Sequence, residues 1–422
     1  MLTGKGQLTL ALGGIVYLVA WLFGSEPLYP VGIGLVVAVA LAALWVRVLS
    51  RPKSVHRRFG DDARTDGEDV DVQVGVQFAR GIPPASVSGG ELVEGLGEYE
   101  LDFERVKGGY AAGYRIEDVP RGRYRIDPTR VVTADPFGFA VHVSELRRGS
   151  SLLVYPRLVR LETLFSETGS RLADGRRLLL RRQTGYDLHS VREYEQGESL
   201  RRVHWPSSAR RGKLMVKELE DAPRDEALVI LDAEEGTVIG EGRDSSFEVA
   251  VRAAGSIARA HAARGQRAGL LINDRTREYE SIQSLEGDWP RALELLACTK
   301  PTGRHQVATL LEDGAGPAAN ALDLTIVTSA LSARLAERLS RRAAGRRGTA
   351  VVLVEPQSFA ANATRTGELP VDVRAAMLRL ARAGVPVAVV RRGDDLHELL
   401  GGDPRSDTED VPPTAERLAA GV

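Results

Sequence analysis

Two uncharged apolar runs open the chain, Leu8–Gly24 (LTLALGGIVYLVAWLFG) and Leu28–Val46, with only Ser25, Glu26 and Pro27 between them. The hydrocarbon core of a bilayer takes about 20 residues of helix, so each run predicts a spanning helix. A connection this short, carrying a helix-stopping proline, makes the pair a hairpin. A cleavable leader is the competing reading of the first run; no small-residue cleavage site follows it, and the second run begins at once. Further along, the period becomes two: VDVQVGVQF, from Val70, alternates apolar and polar as a half-buried strand does. YELDFERV, AAGYRIEDV, GRYRIDPTRVVTAD, FAVHVSEL and SSLLVYP follow, parted by the turn-forming stretches GIPP, KGG, PRGR and DPFG. Short strands at this spacing predict a small β-sandwich. Past residue 225 the pattern changes once more. EALVILDA is a continuous apolar run, as in a strand buried on both faces, and it alternates with helical spacings such as SFEVAVRAAGSIARAHAARG. That alternation predicts βαβ units around a mostly parallel sheet.

The expected organisation is therefore a transmembrane hairpin (1–50), a basic juxtamembrane linker (51–67), a β-sandwich domain (68–165), a polar, Arg-rich segment (166–224), a doubly wound α/β domain (225–400) and a mobile polar tail (401–422). Charge sets the orientation. Lys5 precedes the first helix, Arg47, Arg51, Lys53, Arg57 and Arg58 follow the second, and the loop between carries only Glu26. The positive-inside rule puts both flanks, and all that follows residue 50, in the cytoplasm. Trp21 and Trp45 near the helix ends suit interfacial anchoring.

Composition narrows the chemistry. The net charge of −1 gives no global attraction to nucleic acid or acidic membranes. Cys298 is the one cysteine, which excludes an internal disulfide and a cysteine-based zinc site. Lying in the run ALELLAC, it reads as a small buried hydrophobe. No Gly-x-Ser-x-Gly, His-Glu-x-x-His or Walker A pattern occurs, and no cofactor is implied.

The most unusual stretch is REYEQGESLRRVHWPSSARRGKLMVKE, from Arg192. Its bases are Arg192, Arg201, Arg202, Arg210, Arg211, Lys213 and Lys217; Asp187, Glu193, Glu195, Glu198, Glu218, Glu220 and Asp221 offset them. A phosphate-binding face needs a net positive field, so the balance argues against nucleic acid. His204 could serve as a general base with Glu193 or Glu198 as its partner, the alternative reading as a hydrolase-like enzyme, though no activated nucleophile accompanies it. The favoured reading is structural: paired Arg and Glu side chains, with His204 and Trp205 pinning the segment as a clasp between domains, and a docking surface as a second role.

Leu188, Arg192, Glu193, Tyr194, Gly197, Arg201, His204, Trp205, Ala209, Arg210, Gly212 and Leu214 together resemble the motif of a bacterial family, the domain of unknown function 58 family. Arg121–Tyr124 (RGRY) and Asp135–Gly138 (DPFG) agree with it, while Glu198 and Pro206 depart from its usual residues. The resemblance implies a membrane hairpin, a β domain and a von Willebrand factor type A-like domain. It further implies a scaffold or adaptor working with a MoxR-type AAA+ ATPase in assembling or maturing an envelope or protein complex, and a transglutaminase-like membrane protein as a further companion. Type A domains that bind Mg²⁺ carry Asp-x-Ser-x-Ser after the first strand, because a hard cation wants carboxylate and hydroxyl oxygens. Here Asp232 is followed by Ala-Glu-Glu-Gly, and Ser329-Ala330 stands where a later Asp is expected. No metal is expected at this degenerate position; Asp232 should instead cap a turn or helix at the carboxyl edge of the first strand.

Overall fold

The computed structural model describes residues 1–49, 51–60, 64–78, 84–161, 188–193, 205–219, 227–312, 316–345, 347–361 and 369–401. Much of the Arg-rich segment expected over 166–224, and the tail expected beyond 401, therefore lie outside the described residues. Among the described residues the chain falls into two units, one of Met1–Arg157 with Leu293–Thr299, the other of Leu158–Ala292 with 300–401.

The first unit opens with α1 (Gly4–Phe23) and α2 (Leu28–Leu44), the latter running on through a π-turn at Trp45–Leu49. Both helices are long and apolar enough to cross a membrane. Thr3 caps α1 by accepting from the Gly6 amide, and Gly24 ends it in the left-handed conformation. The two helices pack where Gly13 faces Gly32, the close approach that small residues permit in membrane hairpins.

Nine strands follow among the described residues: β1 (Pro52–Phe59), β2 (Val70–Phe78), β3 (Ser86–Val93), β4 (Gly97–Asp102), β5 (Glu104–Val106), β6 (Gly109–Ile116), β7 (Gly122–Ala134), β8 (Val141–Leu146) and β9 (Ser150–Val154). They form two antiparallel sheets, β1-β2-β6-β5 and β4-β3-β7-β8, with β9 paired to β7. One apolar cluster serves both: Val72, Val74 and Val76 from the first sheet meet Val87, Leu101, Ile126, Val131 and Leu152 from the second. The alternation that predicts β2 is the alternation that buries it.

Two expectations need correction. The stretch 51–67 is not simply a basic linker, since β1 pairs with β2 across Pro52–Phe59. Arg57, counted among the flanking charges, has a buried side chain. Its Nε donates to Glu91 at 2.8 Å and a terminal nitrogen donates to Ser150 at 2.9 Å, while Thr129 also accepts from it. Glu91 is 0% exposed and accepts from Tyr114 Oη at 3.0 Å as well. Burial, and after it the Glu91 charge, hold the Tyr114 phenol well above its ordinary pKa, so it remains a donor. The second correction is β3, whose Ser-Gly-Gly centre conceals the strand alternation.

In the second unit β10 (Leu188–Glu193) and β11 (Met215–Leu219) form an antiparallel ribbon, and α3 (Trp205–Arg211) lies between them in sequence. Then come β12 (Ala227–Asp232), α4 (Ser246–Ala263), β13 (Ala268–Asn273), β14 (Tyr279–Ile282), α5 (Trp289–Cys298, counted with the first unit from Leu293), α6 (Pro317–Asn320), β15 (Asp323–Thr328), α7 (Ala333–Ala344), β16 (Gly348–Val354), α8 (Val371–Arg382), β17 (Val387–Val390) and α9 (Leu396–Leu400). The sheet order is β14-β13-β12-β15-β16-β17, parallel except for the edge strand β14. Every residue of β12 and β13 is buried, which explains their unbroken apolar runs. Leu228 and Ile230 pack with Leu335 and Leu339 of α7 and Leu380 of α8. Val229 and Leu231 point the opposite way and are equally buried. Cys298, expected inside, is exposed. On α5 the helical period turns Ala292 and Leu296 inward and carries Cys298 out to the surface.

Removing the Glu91 carboxylate strands the Arg57 guanidinium in the core, and breaking a buried pair costs about 3–5 kcal/mol. Glu91→Ala is therefore expected to lower the melting temperature of the detergent-solubilised chain by several degrees, and Glu91→Gln by less. A melt by circular dichroism checks this; an unchanged Glu91→Ala transition contradicts it.

Candidate functional site at the strand switch

In open parallel sheets, ligands sit outside the carboxyl ends of the strands, where the strand order reverses. Here β12 is flanked by β13 on one side and β15 on the other, so the reversal lies between β12 and β15. Three polar residues close these three strands: Asp232, Asn273 and Thr328. Asp232 is in register with Asn273, and Thr328 follows Val327, the partner of Leu231. All three are buried.

Parallel register brings the side chains together. Asn273 Nδ2 donates to Asp232 Oδ1 at 3.0 Å and to the His305 carbonyl at 2.8 Å. Thr328 Oγ1 donates to Asp232 Oδ2 at 2.7 Å, across the switch itself. The Glu234 backbone amide also donates to the Asp232 carboxylate, so Asp232 caps the turn that leaves β12. A loop covers this edge. Gly303 N donates to the Ala233 carbonyl at 2.8 Å, and its own carbonyl accepts from Glu235 N at 3.0 Å. A Cβ on Gly303 would lie 2.2 Å from the Asn273 carbonyl oxygen, so only glycine fits. Burial raises the Asp232 pKa above the usual carboxylate range, although the Asn273, Thr328 and Glu234 hydrogen bonds oppose the shift. Glu234 is raised as well, by burial first and then by the Asp232 charge. Chemically this is a carboxylate whose acceptor capacity is met by the protein's own donors.

Asn273 and Thr328 escape the reading of single motifs. Their signal in the sequence is nonetheless present: AGLLIN and DLTIVT are apolar strands that each end on a polar residue, like ALVILD.

The residues of the sequence motif stand elsewhere. Arg192 and Glu193 end β10, opposite Val216 and Met215. Tyr194, Gly197, Glu198, Arg201 and His204 lie outside the described residues, so the pairing of His204 with Glu193 or Glu198 does too. Trp205 starts α3 and is 65% exposed, which corrects its expected role as a buried pin. The described contact runs instead through the small Ser208, whose hydroxyl accepts from Met215 N at 2.9 Å. Arg210 is exposed in the last turn of α3. Gly212, at φ 66°, ends the helix in the left-handed region, where glycine is the favoured residue, and donates to the Ser208 carbonyl at 2.9 Å.

Residues 190–365 match the family described as "Protein of unknown function DUF58". The uncharacterized protein YeaD of Bacillus subtilis (strain 168) is 23% identical over 240 residues, which cover 57% of this chain and 58% of that protein. Among solved structures, Cwp6 from Clostridium difficile aligns at 10% identity and a TM-score of 0.19, covering 82% of this chain and 38% of that one.

Because the folded Asp232 carboxyl holds its proton to higher pH than in the unfolded chain, the native state binds more protons in the window just above the ordinary value of 3.8. Stability is then fully present below that value and declines as pH rises through the folded pKa. Asp232→Asn, a permanently neutral isostere, is expected to lose this component and to gain on the parent as pH rises from about 4 towards neutrality. His261 contributes with the opposite sign: burial pushes it down to about 4, and its stabilisation is lost as pH falls. The measurement is therefore the difference between variant and parent melting temperatures across pH. A difference that stays flat contradicts the assignment.

Proposed function

We propose that this chain, whose residues 190–365 match the family described as Protein of unknown function DUF58, is a membrane-anchored, non-catalytic adaptor. Its two apolar helices hold it in the bilayer, and the basic flanks direct the soluble units to the cytoplasm. The first soluble unit is read as a β-sandwich. The second is read as a doubly wound, von Willebrand factor type A-like domain whose metal position has degenerated. The observation that carries the proposal is the Asp232 cluster. Where a type A domain would offer a carboxylate and hydroxyls to a cation, Asp232 is engaged by Asn273 and Thr328, and the loop through Gly303 is laid over the same edge. A crevice occupied by the chain's own groups suits a domain that binds through its surface. The family resemblance supplies the partner class, a MoxR-type AAA+ ATPase, with a transglutaminase-like membrane protein as a further companion.

The test is reconstitution. The full chain in detergent, mixed with the MoxR-type ATPase of the same organism, is expected to co-elute with it on size exclusion and to alter its ATP turnover. Separate elution with unchanged turnover rejects the partner. An esterase or peptidase activity in the pure chain that His204→Ala abolishes, without lowering its melting temperature, rejects the adaptor and makes the chain a hydrolase.

A further inference from the structure

The DPFG turn, Asp135–Gly138, has no part in the adaptor reading, yet its shape is tightly specified. Asp135 is buried and accepts from Phe137 N at 2.9 Å and from Ala140 N at 2.6 Å. Gly138, at φ 70°, takes the left-handed conformation, and its amide donates to the Asp135 carbonyl at 3.1 Å. What the turn presents is Phe137, whose ring stacks on Phe139 at 5.6 Å and which is 70% exposed. A side chain held out on a preformed turn loses little freedom when it meets a partner.

Exposure by itself names no partner, since single apolar side chains are common on surfaces. The neighbours of the turn name one. Thr3, the N-cap of α1, donates from its amide to the Phe139 carbonyl at 2.9 Å and from Oγ1 to the Gly138 carbonyl at 2.6 Å. Gly6, in the first turn of the same helix, lies so close that a Cβ there would stand 2.1 Å from the Phe139 carbonyl oxygen. The apolar run of α1 begins two residues later with Leu8, which is exposed in the protein alone. Two residues of helix rise about 3 Å, and the headgroup layer on each side of the hydrocarbon is about 5–7 Å deep. The turn therefore abuts α1 inside that layer.

The second helix gives the same level. Gly13 faces Gly32. Counting about ten residues back from the one and on from the other brings Thr3 level with Ala42, short of Val46, where the apolar run of α2 ends. Lys5, Arg47 and Arg51 are exposed at this end of the hairpin, as cations facing lipid phosphates are. A helix–turn contact at this depth leaves lipid as the medium around an outward-facing ring.

We propose that the DPFG turn is a third membrane contact of the first unit, an interfacial wedge whose Phe137 ring enters the bilayer at the boundary of headgroups and acyl chains beside the start of α1. Apolar and aromatic side chains of surface-lying segments bury at this depth. The inference rests on the membrane-anchoring reading and deepens it: the hairpin holds the chain in the bilayer, and the wedge fixes the β strands of the first unit against the leaflet surface.

The test uses the full chain in nanodiscs of phosphatidylcholine and phosphatidylglycerol, with Cys298→Ser removing the native thiol. A nitroxide is attached through Phe137→Cys, and its collisions with oxygen, which concentrates in lipid, are compared with those with a water-soluble nickel chelate. Leu8→Cys supplies the lipid reference. Leu92→Cys, exposed on β3, supplies the water reference: its neighbour Val93 pairs with Ile126, whereas Ser86, at the other end of β3, pairs with Ala134 beside the turn. The oxygen-to-nickel ratio at position 137 is expected to exceed that at 92 severalfold and to lie nearer the ratio at 8. A ratio nearer that at 92 puts the ring in water and overturns the proposal. A label shielded from both reagents is covered by protein and overturns it too. Circular dichroism melts identify a variant that fails to fold. Should Phe137→Cys be one, Phe137→Trp replaces it; the fluorescence it adds to the parent's is expected to be quenched by acyl-brominated lipid, and added fluorescence that stays unquenched overturns the wedge. Carbonate extraction of cell membranes runs in parallel. Release of the chain refutes membrane anchoring itself, whereas a retained chain with position 137 in water refutes the wedge alone.

Discussion

Burying a carboxylate obliges the fold around it to supply donors, and Asp232 imposes that demand on three strands at once. Its two oxygens are satisfied only if β13 brings Asn273 level with it and β15 brings Thr328 to its other side. A slip of either strand by one residue would turn the donor to the opposite face of the sheet, stranding a desolvated acid. The parallel register of β13, β12 and β15 and the satisfaction of one side chain are therefore the same constraint. The covering loop extends it, because the second Asn273 proton is committed to the His305 carbonyl and Gly303 sits against the Asn273 backbone.

The first unit follows the same rule with a full ion pair. Glu91 on β3 receives Arg57 from β1 and Tyr114 from β6, so one carboxylate links a strand of the second sheet to two strands of the first. An apolar cluster holds sheets together without choosing their alignment in detail. A buried charge admits few alignments, since any that leaves it unpaired costs several kcal/mol. In both units the polar exceptions inside the core specify geometry, while Val, Leu and Ile supply most of the driving force.

The proposed role of the α/β unit follows the same logic of satisfied groups. At the strand switch the acceptors are met from within, which favours a surface-binding role for the α/β unit.

Elements whose pattern is local are legible in the sequence. The apolar runs of α1 and α2, the alternation of β2 and the continuous apolar stretches of β12 and β13 all form where the periodicity puts them, because burial on one face or all round dictates that spacing. Asp232 is also recognisable as the carboxylate at the carboxyl edge of the first parallel strand. Pairing over distance is not legible. Arg57 reads as one of several flanking charges until tertiary structure sets Glu91 beside it, 34 residues away in sequence. Asn273 and Thr328 become a cluster with Asp232 only through sheet order, Thr328 lying 96 residues from its partner. Residue type assigns Trp205 and Cys298 to the interior, yet both are exposed. Hydrophobicity states what burial would gain; which side chains receive it depends on where packing leaves room, and that is decided only when distant segments meet.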